Sequence, residues 1–137
     1  MAEDFFSGLN IAASGLSAHR QWMDLISGNI ANAETTRTPA GGPFRRQLAV
    51  FMEMADTAGQ PRGVKVADVI DDDSELRKVY EPAHPDADAE GYVSYPNVNV
   101  VMEMVDLIAA SRAYEANATV LEAAKGMFMR AVQTLQA

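Results

Sequence analysis

The sequence predicts an α+β fold: long N- and C-terminal α-helices packed as a coiled-coil-like pair, with a small antiparallel β-rich insert between them. Three observations predict it. Residues 5–33 repeat apolar side chains at Leu9, Leu16, Met23 and Ile30. Residues 98–136 do the same at Val100, Leu107, Tyr114, Leu121, Phe128 and Leu135. The stretch between them is instead rich in β-branched residues, Pro, Gly and Asp. A seam repeating every ~3.5 residues suits pairing with another helix. The chain of 137 residues is therefore expected to be one domain with a core of modest size. Its helical part is residues 1–34 plus 97–137, and its β-rich insert with loops is residues 35–96.

The first helix has a companion seam at Ala12, His19, Ile26 and Ala33. Gly8, Gly15 and Gly28 each weaken an isolated helix by roughly 1 kcal/mol relative to Ala, but they let backbones approach closely. The pattern stops after Ala33. Glu34 to Pro43, with Pro39, Gly41 and Gly42, reads as a terminator and turn. Residues 44–54 then alternate Leu48, Val50, Met52 and Met54, as along one face of a strand. Gly59, Pro61 and Gly63 mark a hairpin loop, and Val64, Val66 and Val69-Ile70 a returning strand. Leu76 to Tyr80 and Tyr92 to Tyr95 are shorter extended pieces, separated by a loop containing Pro82 and Pro85. The last helix begins just after Pro96, with Asn97 or Asn99 as its N-cap. Glu103 and Asp106 lie in its early turns, where the helix dipole favours acids. Lys125 and Gly126 interrupt its apolar pattern and mark a possible bend.

Composition narrows the function. The formal net charge of −8 argues against nucleic acid and against docking on anionic lipid. No apolar run approaches the ~20 residues that span a bilayer. The opening Met1-Ala2-Glu3-Asp4-Phe5-Phe6 lacks the basic and apolar regions of a cleaved signal peptide. The absence of cysteine removes disulfides, Cys-ligated metal and thiol catalysis.

Site chemistry is sparse. Asp86-Ala87-Asp88-Ala89-Glu90-Gly91 imitates the start of an EF-hand loop, but its twelfth position is Asn97 rather than a bidentate Glu. It reads as a solvated acidic loop, and so does Asp71-Asp72-Asp73. His19 and His84 fall in different segments without metal-ligand spacing. Glu103 and Asp106 read as helix-surface charge, and Arg112 with Glu115 as a surface pair or a bridge to a neighbour. No catalytic, cofactor or metal residue is assigned. Met102, Met104, Met127 and Met129 read equally as an adaptable apolar surface or as ordinary core filler. A chain with amphipathic helices at both ends and no site chemistry points to assembly.

Two segments add a resemblance. Ser14-Gly15-Leu16 with Met23-Asp24-Leu25-Ile26-Ser27-Gly28-Asn29-Ile30-Ala31-Asn32-Ala33-Glu34-Thr35 resembles the N-terminal signature of the flagellar axial proteins, the rod and hook group. Tyr95-Pro96-Asn97-Val98-Asn99-Val100-Val101-Met102-Glu103-Met104-Val105-Asp106-Leu107-Ile108 with Ser111-Arg112-Ala113-Tyr114-Glu115-Ala116-Asn117 resembles their C-terminal signature. The intervening 38–46 and 80–93, and the length, are similar to the short proximal-rod members of that family. Glu34 and Met102 depart from the family's common residues. The resemblance implies a structural subunit of a hollow helical drive shaft, exported by the flagellar type III apparatus without a cleaved signal and assembled in the periplasmic space. Implied neighbours are FlgB, FlgF, FlgG, FliE, the export apparatus, the MS ring and further copies of the chain. Heptads and signatures together give the candidate interface residues: Leu9, Leu16, Met23, Ile26, Asn29, Ile30, Asn32, Asn97, Val98, Asn99, Val100, Met104, Leu107, Arg112, Tyr114, Leu121, Phe128 and Leu135. The competing expectation is a soluble coiled-coil adaptor or export chaperone.

Overall fold

The computed structural model describes residues 2–135. Helix α1 (Ala2–Ala31) opens the chain, and the long helix α2 (Val100–Leu135) closes it. Between them run four strands: β1 (Gln47–Ala55), β2 (Pro61–Asp71), β3 (Arg77–Tyr80) and β4 (Tyr92–Tyr95). The strands form two separate two-stranded antiparallel sheets, β1-β2 and β3-β4. The α+β class, the two terminal helices and the β-rich insert are thus as the sequence predicts. Helix α2 passes through Lys125 and Gly126 without a break. The predicted end of the last seam at position 136 lies outside the described residues.

Local chemistry explains the element ends. Asn99 caps α2: its Oδ1 accepts from the N–H groups of Val101 and Met102 at 3.1 and 3.2 Å, a bond of the kind worth about 1 kcal/mol. Asn97, the other candidate, is used elsewhere. The β1-β2 turn is organised by Asp56, whose Oδ1 accepts from the N–H groups of Ala58 and Gln60. Gly59 supplies the positive φ of 76° that this turn needs.

Two compact units divide the chain. The first comprises Met1–Met23, Phe51–Ala67 and Ala109–Ala137; the second comprises Asp24–Val50 and Asp68–Ile108. In the first unit the two helices run antiparallel. The Phe6 and Phe128 rings lie 6.2 Å apart, and the Gly15 backbone lies against Asn117. The deepest line of α1 here is small: Ala12, Gly15 and Ala18 are buried, while Leu9, Leu16 and Met23 flank it half-buried. Small residues let the helix axes close up, and the larger ones then cover the sides. Trp22 stands edge-on to Phe51 at 5.7 Å, placing β1 over α1.

The second unit has a modest apolar core of Ile26, Ala33, Val93 and Tyr95. In the β3-β4 ladder, Val79 pairs with Val93 and Tyr80 with Tyr92. The Arg77 guanidinium lies 4.8 Å above the Tyr95 ring. With so little apolar volume, this unit depends on buried polar bonds.

Candidate subunit interface and its ionic junction

Those bonds converge on Arg46, just before β1. Its Nε donates to Glu103 Oε1 at 2.5 Å, and its Nη2 reaches Asp106 Oδ2 at 3.3 Å. Its Nη1 faces Asp72 Oδ2 at 3.7 Å. Glu103 is 1% exposed, so its charge needs complete compensation. The second Glu103 oxygen accepts from Asn29 Nδ2 at 3.0 Å. Asn29 also bonds β1 on both sides: it donates to the Gln47 carbonyl and accepts from the Gln47 N–H, each at 2.9 Å. One amide side chain thereby ties α1, β1 and α2 together within this unit.

Asn97 closes the other side. Its Oδ1 accepts from the Arg46 N–H, and its Nδ2 donates to the Asp72 carbonyl and Ser74 Oγ. Burial alone would lower the Arg46 pKa. The hydrogen bond and charge of Glu103, followed by Asp106 and Asp72, outweigh it and hold the pKa above the usual value. No buried side-chain nitrogen or oxygen among the described residues lacks a partner.

The sequence reading of Glu103 as surface charge is therefore corrected: its side chain faces inward and completes the junction. The sequence did carry a signal. Glu103 stands one heptad before Ala110, which is fully buried, and in an otherwise apolar run. Arg46 gave no such signal, because only the folded chain brings it under α2.

The carboxyl of Asp72 sits below the usual range. The Ser74 N–H donates to it first, then the Ser74 hydroxyl; these bonds outweigh partial desolvation, and Arg46 adds to them. A depressed folded-state pKa contributes stability that is complete above the unfolded value near ~4 and lost as pH falls through the folded value. Acid titration of the urea midpoint is expected to show a loss below about pH 4 that is smaller in Asp72→Asn. An identical slope in that variant would exclude Asp72 as a source.

The remaining candidate residues distribute as follows. Ile26 and Asn29 are buried inside the chain. Ile30, Leu107, Tyr114 and Leu121 are half-buried beside the inner helix lines. Asn32 Nδ2 donates to the Gly28 carbonyl, which caps the end of α1. Asn97, Val98, Asn99 and Val100 come together along an open notch of about 420 Å³, with Ala33, Glu34, Arg77 and Pro96. Arg112, Phe128 and Leu135 are exposed. The acidic-loop residues have structural duties: Asp86 pairs with Arg37 at 2.9 Å and accepts from Thr36, and Asp88 closes the turn before β4.

The start of α2 presents a run of outward apolar side chains. Val100, Val101, Met102, Met104, Val105 and Ile108 are 38–70% exposed. A helix that is apolar nearly all round is normally buried, yet here one line alone is covered.

Two family models match the ends of the chain. Residues 9–37 match the model described as flagella basal body rod protein. Residues 89–134 match that of the flagellar basal body rod FlgEFG protein C-terminal region. Whole-chain relatives carry the decision. The chain is 47% identical to the flagellar basal-body rod protein FlgC of Borreliella burgdorferi, over 96% of this chain and 97% of that one. It is 41% identical to FlgC of Bacillus subtilis, over 93% and 96%. The chain belongs to the FlgC family of flagellar basal-body rod proteins. FlgC of Salmonella typhimurium is 43% identical over 88% of this chain and 90% of its own. This FlgC-family chain is a structural subunit of the flagellar rod, and its place is the basal body.

Proposed function

We propose that the chain is exported by the flagellar type III apparatus without signal cleavage. It then joins the proximal rod in the periplasmic space, in a hollow helical tube that transmits torque. Residues 1–34 and 97–137 form the axial core of that tube, and residues 35–96 form an insert that contacts adjacent subunits. Its neighbours are FlgB, FlgF, FlgG, FliE, the export apparatus, the MS ring and further copies of itself. Its work is mechanical, with no catalytic step. Leu9, Leu16, Met23, Ile30, Val98, Val100, Met104, Leu107, Arg112, Tyr114, Leu121, Phe128 and Leu135 belong to the contact surfaces. Ile26, Asn29, Asn32, Asn97 and Asn99 hold those surfaces in shape.

The observation that supports this most is the outward apolar start of α2. Left in water, these side chains forgo roughly 25 cal/mol for each Å² they could bury, and a contiguous patch of this kind marks an interaction site. Torque spread over many such contacts requires no single strong bond.

Ile108→Asp is expected to abolish retention in purified basal bodies while leaving the denaturation midpoint of the isolated chain within about 0.5 kcal/mol of the parent, as surface changes do. The measurement is the ratio of tagged chain to other rod proteins in detergent-resistant basal bodies. Undiminished retention would count against the surface. Recovery of the parent chain only in the cytosol, with one client at fixed ratio, would favour the adaptor reading.

A further inference from the structure

Each helix carries a second regular line on the side away from its buried one. On α1 the exposed positions Ala13, Ser17, Arg20, Asp24, Ser27 and Ala31 follow one another at alternating intervals of four and three. On α2 the exposed positions Val101, Val105, Ile108, Arg112, Glu115 and Thr119 do the same. At about 100° per residue, Ala31 lies roughly 200° around α1 from buried Asn29, and Val101 the same from buried Glu103. These are therefore true outer stripes with the ~3.5 spacing of helix-pairing seams.

The stripes are complementary. The α1 stripe is small at Ser27 and Ala31, where the α2 stripe is bulky at Val105 and Ile108. Along α1 the charges read Arg20 then Asp24; along α2 they read Arg112 then Glu115. A parallel alignment that matches the two pairs sets like charges opposite each other. An antiparallel alignment with Asp24 opposite Arg112 sets Arg20 opposite Glu115, Ser27 opposite Ile108 and Ala31 opposite Val105. One register thus satisfies both charge pairs and both size matches.

We propose that a second copy of this chain lays its α1 outer stripe along the α2 outer stripe, antiparallel, in the register that pairs Asp24 with Arg112 and Arg20 with Glu115. The contact is heterologous: each copy offers one stripe and retains the other. Such a contact propagates into rings or helical tubes instead of closing as a dimer. This rests on the rod-subunit reading and names the copy-to-copy seam within it.

The test exploits the absence of cysteine in the chain. Two differently tagged copies, Asp24→Cys and Arg112→Cys, are expressed together. Basal bodies are then purified and treated with a short thiol-specific cross-linker. A product carrying both tags is expected, and none when Asp24→Cys is combined with Glu122→Cys. Cross-linking only to a rod protein of different mass would overturn the second-copy assignment. Retention of both tagged copies without a mixed product would overturn the register. Failure of the tagged chain without either substitution to be retained would instead strike at the rod reading.

Charge reversal gives an independent check. Arg112→Asp is expected to lower incorporation about tenfold or more through like-charge contact with Asp24. Adding Asp24→Arg to the same chain is expected to restore it. Full incorporation of Arg112→Asp alone, or no restoration in the double variant, would overturn the proposal.

Discussion

Arg46→Ala is expected to lower the folding stability of the chain by about 3 kcal/mol, measured as a fall in the urea midpoint with an unchanged slope. The size follows from what is left behind. Glu103 would remain buried with a charge and lose its shortest bond, and breaking a buried ion pair from one side costs about 3–5 kcal/mol. The lower end applies because the Arg46 side chain is 25% exposed and water can partly replace it. Arg46→Lys keeps the charge but loses the planar fork that reaches Glu103, Asp106 and Asp72, so an intermediate loss is expected. Arg46→Met with Glu103→Leu removes both charges and is expected to recover most of the stability, although Asn29 then loses one acceptor. Equal losses in Arg46→Ala and the double variant would show that packing, and not an orphaned charge, sets the cost. Hydrogen exchange locates the effect: protection is expected to fall in residues 24–50 and 68–108.

Gly63→Ala is expected to destabilise the other unit by about 2–3 kcal/mol, since backbone strain at a residue of this kind costs ~1–3 kcal/mol before any clash is added. Gly63 has φ of +133°, a conformation that L side chains rarely adopt. A Cβ there would lie 2.1 Å from Ser14 Oγ and 2.8 Å from Ser14 Cβ. Ser14 cannot simply turn away. Its Oγ donates to the Ile11 carbonyl at 2.7 Å and accepts from the Val64 N–H at 3.0 Å, so it is the tie between β2 and α1. The substitution therefore strains the backbone and breaks that tie together. Lost exchange protection is expected in residues 51–67, with the Arg46 junction unaffected. A thermal midpoint within a degree or two of the parent would mean that β2 can shift away from α1 at little cost.

Much of this was legible in the sequence for a physical reason. Helix and strand periods are local properties, so the terminal helices, the turn at Gly59 and the strand pieces up to Tyr95 could all be placed from spacing and turn residues. The signatures in residues 14–35 and 95–117 carried the family, which the whole-chain relatives bear out. Glu103 was misread because a carboxylate in a first helical turn is ordinarily a dipole partner at the surface. Its real partners, Arg46 and Asn29, are 57 and 74 positions away. Asn97 was misread as a possible cap for the same reason, since its bonds go to Arg46, Asp72 and Ser74.

The sequence by itself determined the class of each element, the absence of thiol chemistry and the membership of a rod family, because each follows from residue type and spacing along the chain. Only the tertiary structure decided which side of each helix is inside. On α1 the small line of Ala12, Gly15 and Ala18 lies deepest and the large heptad residues flank it. On α2 Glu103 turns inward while Val101, Val105 and Ile108 face out. Hydrophobicity alone would have chosen the opposite arrangement. A buried carboxylate with a complete set of partners, and a backbone contact that only small residues allow, depend on groups far apart in the chain, which no local pattern can announce.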